Sequence, residues 1–181
     1  MSTATDVTKR DRPTAAQVWT GGKAVLFAAV LGVVVGLDLA TKLIVTRTIN
    51  LYQQIPIVGD YVRLTYIHNP GAAFGIELGE HSRIIFLVLS AVALVALGAM
   101  YWFTPATDRL RLAAIALICG GALGNLTDRV RSQAGVVDFL DIGVGTVRWP
   151  VFNVADMAVT AGAIILALSL WKEEKKVDGS R

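Results

Sequence analysis

Residues 24–45 read AVLFAAVLGVVVGLDLATKLIV, an apolar run broken only by Asp38 and Lys42. A bilayer core about 30 Å thick is crossed by roughly 20 helical residues, so this run predicts a transmembrane helix. A cleaved signal peptide is a poor reading, because its apolar region is shorter and would not lead straight into an acid and a base. Three more runs follow, at residues 84–103, 112–126 and 152–171. The second carries no charge, the third ends in Thr127-Asp128-Arg129, and the fourth carries Asp156 alone. The third reaches spanning length only if Arg109 and Arg111 snorkel at one end and Asn125 and Asp128 are tolerated at the other. The fold class expected is an all-α polytopic membrane protein with four transmembrane helices.

Composition agrees. Of 181 residues, 54% are hydrophobic and 17% charged, where soluble domains average roughly a quarter charged; the mean hydropathy is +0.58. The length suits one domain. The net charge of +3 is small, and the basic residues sit at the ends of apolar runs instead of on one patch, so no nucleic-acid partner is expected. One cysteine, Cys119, excludes an internal disulfide and reads as a packing residue.

Charge also orients the chain. Lys9, Arg10, Arg12 and Lys23 precede the first run, Arg109 and Arg111 lie between the second and third, and Lys172, Lys175 and Lys176 follow the fourth. With four spans these segments share one side, which places both termini in the cytoplasm. Against this, Arg47, Arg63, Arg83, Arg129, Arg131 and Arg148 fall on the outer side. Residues 1–22 then form a flexible cytoplasmic tail, residues 23–171 the membrane domain, and residues 172–181 a second cytoplasmic tail. Loops 46–83 and 130–151 face outward. In the first loop, Tyr61-Val-Arg-Leu-Thr-Tyr-Ile-His68 alternates and is rich in β-branched and aromatic residues, which predicts a strand ended by the turn Asn69-Pro70-Gly71. The second loop is unusually apolar around residues 135–143, which suggests backbone at the membrane surface or packed on the bundle.

A charge inside a membrane helix costs about 2.5–3.5 kcal/mol on insertion scales, yet several acids recur at one depth. Asp38 lies fifteen residues after Lys23, Asp156 sixteen before Lys172, and Asp128 seventeen after Arg111. At 1.5 Å per residue, all three stand about 22–26 Å above the cytoplasmic anchors. Asp138, in the second outer loop, can fold into the same layer. Each acid alone can be an interfacial cap, and Asp156 sits where an anion offsets the helix dipole. Asp38 and Asp128 lie toward helix C-termini, where the dipole disfavours them, but Lys42 and Arg129 stand near as partners. They are assigned to structure and substrate positioning. Asp138 and Asp156 have no adjacent basic partner and make the better catalytic pair. Two carboxyls in a low-dielectric site do not both ionise readily. One can then activate a water while the other donates a proton, which needs no metal or cofactor.

Other chemistries are poorly supported. His68 and His81 have no metal-ligand spacing and read as surface or loop hydrogen-bonding residues, and there is no nucleophile-elbow or phosphate-loop motif. A proton- or ion-coupled transporter is the main alternative, since membrane acids often mark proton relays; one layer of acids instead of a ladder counts against it. A magnesium-dependent lipid-phosphate enzyme would want acids spaced Asp-x-x-Asp, and only Asp138 and Asp141 have that spacing.

Five motifs occur in order: Asp38-Leu-Ala-Thr-Lys42, Asn69-Pro-Gly-Ala-Ala-Phe-Gly75, Gly120-Gly-Ala-Leu-Gly-Asn-Leu-Thr-Asp-Arg129, Val136-Val-Asp-Phe139 and Phe152-Asn-Val-Ala-Asp156. Through them the sequence resembles the bacterial lipoprotein signal peptidases (signal peptidase II), aspartic proteases sited in the membrane. The resemblance implies that Asp138 and Asp156 are the catalytic dyad. It implies that Asp38, Lys42, Asn69, Gly71, Asn125, Asp128, Arg129 and Asn153 shape or support the site, and that the first outer loop forms a small extracytoplasmic β-element. It further implies a monomer in the bacterial plasma (inner) membrane whose partners are membrane lipid and prolipoproteins bearing a diacylglyceryl-modified cysteine. Many members carry Gln after the first Asp of the first motif, where this chain has Leu39.

Overall fold

The computed structural model describes residues 15–73, 76–77 and 79–178. Four helices are long and apolar enough to cross a membrane: α1 (Ala15–Thr48), α2 (Ser82–Phe103), α3 (Arg109–Arg131) and α4 (Val154–Asp178). The chain is thus a multi-pass membrane protein. Between α1 and α2 lie the strands β1 (Gln54–Val58), β2 (Val62–Asn69), β3 (Ala72–Ala73) and β4 (Ile76–Glu77) and the short helix η1 (Gly79–His81). Between α3 and α4 lie β5 (Val136–Val144) and β6 (Val147–Arg148).

Some boundaries differ from the expectations. Helix α1 starts at Ala15, within the stretch read as a tail, and α4 continues to Asp178, where Lys175 lies over the Trp171 ring. Residues 1–14 and 179–181 of the two tails, and Phe74 and Gly75 of the second motif, lie outside the described residues. Helix α3 extends to Arg109, as its length required. Arg111 is ion-paired with Asp108 and with Glu173 of α4, at 3.1 and 2.5 Å, in place of simple snorkelling.

Helix α3 is the centre of the bundle. Half of its apolar window is buried, against none for α2. Lipid tails offer helices no hydrophobic drive to associate, so close backbone approach at small residues supplies the contact. A Cβ on Gly120 would lie 2.8 Å from the Val34 Cβ of α1, and one on Gly121 would lie 2.3 Å from the Ala155 carbonyl oxygen of α4. A Cβ on Gly124 would lie 2.4 Å from Asp38 Oδ2. Gly121→Ala therefore forces α3 and α4 apart. We expect it to lower stability by about 1–3 kcal/mol, as overpacking does, measured by thermal unfolding in detergent. Gly98→Ala, where a Cβ meets nothing within 4 Å, should leave the midpoint unchanged; equal effects of the two would refute the close-approach argument.

The expected strand and turn are present: β2 covers Val62–Asn69 and the chain breaks at Pro70. The second outer loop packs on the bundle, one of the two placements expected for it, but it does so as a strand. It supplies β5, which pairs antiparallel with β2, so the sheet β1-β2-β5-β6 draws on both outer loops, not on the first alone. The first four residues of β5 are all buried. A strand covered on both faces shows no alternation, which is why the sequence did not read as one. The sheet rests on the end of α1, where Val45 and Ile49 pack with Val137 and Phe139.

Candidate active site

The start of α4 sets the geometry. The backbone N–H of Asp156 donates to Asn153 Oδ1 at 3.0 Å, and the backbone N–H of Asn153 donates to Asp156 Oδ2 at 3.1 Å. This is a reciprocal capping box built from Asn and Asp. It engages the carbonyl end of the Asn153 amide and leaves Nδ2 to donate elsewhere. That nitrogen lies 2.6 Å from Asp138 Oδ1, 3.0 Å from Asn125 Oδ1 and 3.3 Å from the Val137 carbonyl. One asparagine therefore touches both Asp156 and Asp138. Helix four accordingly begins at Val154 and not at Phe152, because Phe152 is held by β5: its carbonyl accepts from the N–H groups of Phe139 and Leu140 at 3.0 and 2.8 Å, and its N–H donates to the Leu140 carbonyl. Backbone bonds alone thus tether the strand carrying Asp138 to the helix carrying Asp156.

Asp138 is 1% exposed. Its Oδ2 accepts from Asn69 Nδ2 at 2.9 Å, and Asn69 Oδ1 accepts from the Gly71 N–H at 2.9 Å. Gly71 has φ +134°, and a Cβ there would lie 2.8 Å from that of Ser82, so the turn has room only for glycine. Burial, then the charge of Asp156, pushes the Asp138 carboxyl up to about 7, against the hydrogen bonds of Asn69 and Asn153 and the charge of Lys42.

Beneath the two acids lies a buried ion cluster. Lys42 Nζ is 2.8 Å from Asp38 Oδ2, 2.8 Å from Asp128 Oδ2 and 3.0 Å from Asn125 Oδ1. Asn125 passes the contact on, with Nδ2 donating to Asp156 Oδ1 at 2.8 Å. Asp38 Oδ1 accepts from the Ala155 N–H at 3.0 Å, and Asp128 Oδ2 from the Val137 N–H at 3.2 Å. Asp128 therefore pairs with Lys42, not with its neighbour Arg129. Arg129 turns inward, donates to the Asn125 carbonyl at 3.4 Å, lies over the Phe86 ring, and faces the charges of Asp156, Asp138 and Asp128. Leu39 is exposed. All ten residues singled out from the sequence thus converge at one end of the bundle.

Asp141 lies apart from them. Side chains three apart on a strand point to opposite faces, and Asp141 turns to Thr65 and Arg148, at 2.9 and 2.5 Å. The Asp-x-x-Asp spacing does not bring two acids together. Cys119 is buried in α3, His81 is exposed, and His68 Nε2 lies 2.9 Å from the Tyr66 hydroxyl. Sequence reasoning missed Arg83, whose Nη1 donates to the Arg129 carbonyl at 2.7 Å, and Phe86. Their only signal was position at the start of a helix that carries no charge besides Arg83.

Residues 30–172 match the family described as Peptidase_A8, signal peptidase (SPase) II. A lipoprotein signal peptidase of Geobacter sulfurreducens is 44% identical over 150 residues, covering 82% of this chain and 92% of the relative. Another, of Halothermothrix orenii, is 43% identical over 146 residues, covering 81% and 95%. A solved structure described as a bacterial membrane enzyme superposes with a TM-score of 0.75 at 30% identity, covering 83% of this chain and 90% of that one. The cluster of acids and amides lies wholly within the matched span, and this chain belongs to the signal peptidase II family, a family of membrane peptidases that act on lipoprotein precursors.

Proposed function

We propose that the chain is an aspartic endopeptidase that removes the signal peptide from diacylglyceryl-modified prolipoproteins, cutting just before the lipidated cysteine. The observation that carries this reading is Asn153, bonded to Asp138 by its amide and to Asp156 through the cap of α4. Two acids so coupled share one proton near neutral pH. In the proposed step, Asp138 holds that proton and hydrogen-bonds the scissile carbonyl oxygen. Ionised Asp156 takes a proton from the water that attacks the carbonyl carbon. Collapse of the tetrahedral intermediate breaks the C–N bond as a proton passes to the leaving nitrogen. Asn125 and Asn69 hold the two carboxyls in place, and Lys42 balances the charge beneath them.

We place both termini in the cytoplasm and the site near the outer face of the bacterial plasma membrane, with the enzyme acting as a monomer. At that depth the diacylglyceryl chains stay in the bilayer and hold the scissile bond near the interface, so lipid binding energy positions the peptide. The transporter alternative has less support, because the acids form one knot at the ends of α1, α3 and α4 and no relay across the membrane.

The test is to incubate purified protein in detergent with a diacylglyceryl-modified precursor and its unlipidated twin, with and without EDTA. Cleavage of the lipidated peptide alone, unaffected by EDTA, is expected. Equal cutting of both peptides would remove the lipid-anchoring argument. Loss with EDTA and recovery with magnesium would favour a metal-dependent enzyme.

A further inference from the structure

We propose that Gly135, in the turn between α3 and β5, is a positioning residue of the dyad: its missing side chain lets the Asn69 backbone lie against it, and that contact aims the Asn69 amide at Asp138. This inference rests on the dyad reading above.

Gly135 has φ +95°, and a Cβ there would lie 2.1 Å from the Asn69 carbonyl oxygen, 2.6 Å from its carbonyl carbon and 2.7 Å from Pro70 Cα. All three are backbone atoms, so no side chain can swing aside. On its other flank the same turn meets α2, since a Cβ on Gly71 would lie 2.8 Å from the Cβ of Ser82 and 2.9 Å from the Phe86 ring. The turn is therefore pinched between the α3–β5 connection and α2. That connection is itself anchored: Arg83 Nη1 donates to the Arg129 and Ser132 carbonyls at 2.7 and 3.4 Å, and the Gly135 N–H donates to the Ser132 carbonyl at 3.4 Å. Asn69 pairs with Val136, the residue after Gly135, at the end of the β2–β5 ladder. A methyl group on Gly135 must push the Asn69 backbone by about 1 Å to reach ordinary contact, and a shift of that size at a catalytic constellation costs about 10²-fold. It also takes the Asn69–Asp138 bond from 2.9 Å out of range.

The experiment compares full-length Gly135→Ala, Asn69→Ala, the double variant and Gly145→Ala on the diacylglyceryl-modified precursor, with thermal unfolding of each. Gly145 also has positive φ (+57°) but open space around it, so its variant reports backbone strain alone. Expected is a fall in kcat of about 10- to 100-fold for Gly135→Ala with KM within about threefold, and near-wild-type turnover for Gly145→Ala. The double variant should be no slower than Asn69→Ala by more than about threefold. The pH–rate limb governed by Asp138 should move upward equally in Gly135→Ala and Asn69→Ala. The other charges facing Asp138, Asp156 from α4, Lys42 from α1 and Arg129 from α3, are unchanged in both. Wild-type kcat in Gly135→Ala, or multiplied losses in the double variant, overturns the proposal. Wild-type turnover in Asn69→Ala also overturns it, whether or not Gly135→Ala folds. Asp138→Asn is the separate control: if it still cleaves, the dyad reading itself has failed.

Discussion

Asp138→Asn and Asp156→Asn are each expected to lower turnover of a lipidated precursor by about 10⁴-fold, the upper range for loss of a positioned acid or base. In the proposed reaction both carboxyls serve in both halves, so neither can stand in for the other, and the double variant should be no slower than either single one. The protein should still fold. Asn fills the same volume as Asp, and the loss of one hydrogen bond costs about 1 kcal/mol. Burial holds the Asp138 carboxyl up to about 7, so the native state disfavours its ionisation. The stability this group contributes is full below about pH 4, its unfolded range, and is lost as pH rises through about 7. Asp138→Asn removes that ionisation, so its melting temperature should fall less than that of wild type between pH 5 and 8. Near-normal turnover in either single variant would falsify the dyad.

The second large effect is on stability. Among the described residues, Lys42 is the one base ion-paired with both Asp38, which is fully buried, and Asp128. Lys42→Met removes the cation and leaves two carboxylates together in a low-dielectric site. Breaking a buried ion pair by deleting one partner costs about 3–5 kcal/mol, and the lost bond to Asn125 adds to that. Thermal unfolding in detergent should show a large fall in midpoint. The double variant Asp38→Asn with Lys42→Met should recover part of it, since one uncompensated charge is gone. A Lys42→Met midpoint equal to wild type would show that the cluster carries no stability.

Much of this molecule is legible in the chain. Spans are readable because the membrane demands about 20 apolar residues in a row, and deviations stand out against that background. Asp38, Lys42, Asp128 and Asp156 were found because each is costly where it stands. Strand β2 was readable from its alternation and from the Asn69-Pro70-Gly71 break. Strand β5 was not, since burial on both faces erased its period. Small residues in a membrane helix signal close backbone approach, and α3 packs on Ala155 and Asp38 at Gly121 and Gly124.

The sequence by itself determined the four spans and the acids that stand at one depth in them, while Asn69, Gly71, Asn125 and Asn153 joined them only through the family resemblance. Hydrophobic length and the cost of a buried charge are local properties, written residue by residue. Only the tertiary structure decided which partner each residue takes: Lys42 rather than Arg129 for Asp128, Thr65 and Arg148 for Asp141, and Asn153 as the bridge between Asp138 and Asp156. Hydrogen bonds reach about 3 Å, and which atoms come that close depends on how β5 folds back over the start of α4, a contact between segments that no local pattern encodes.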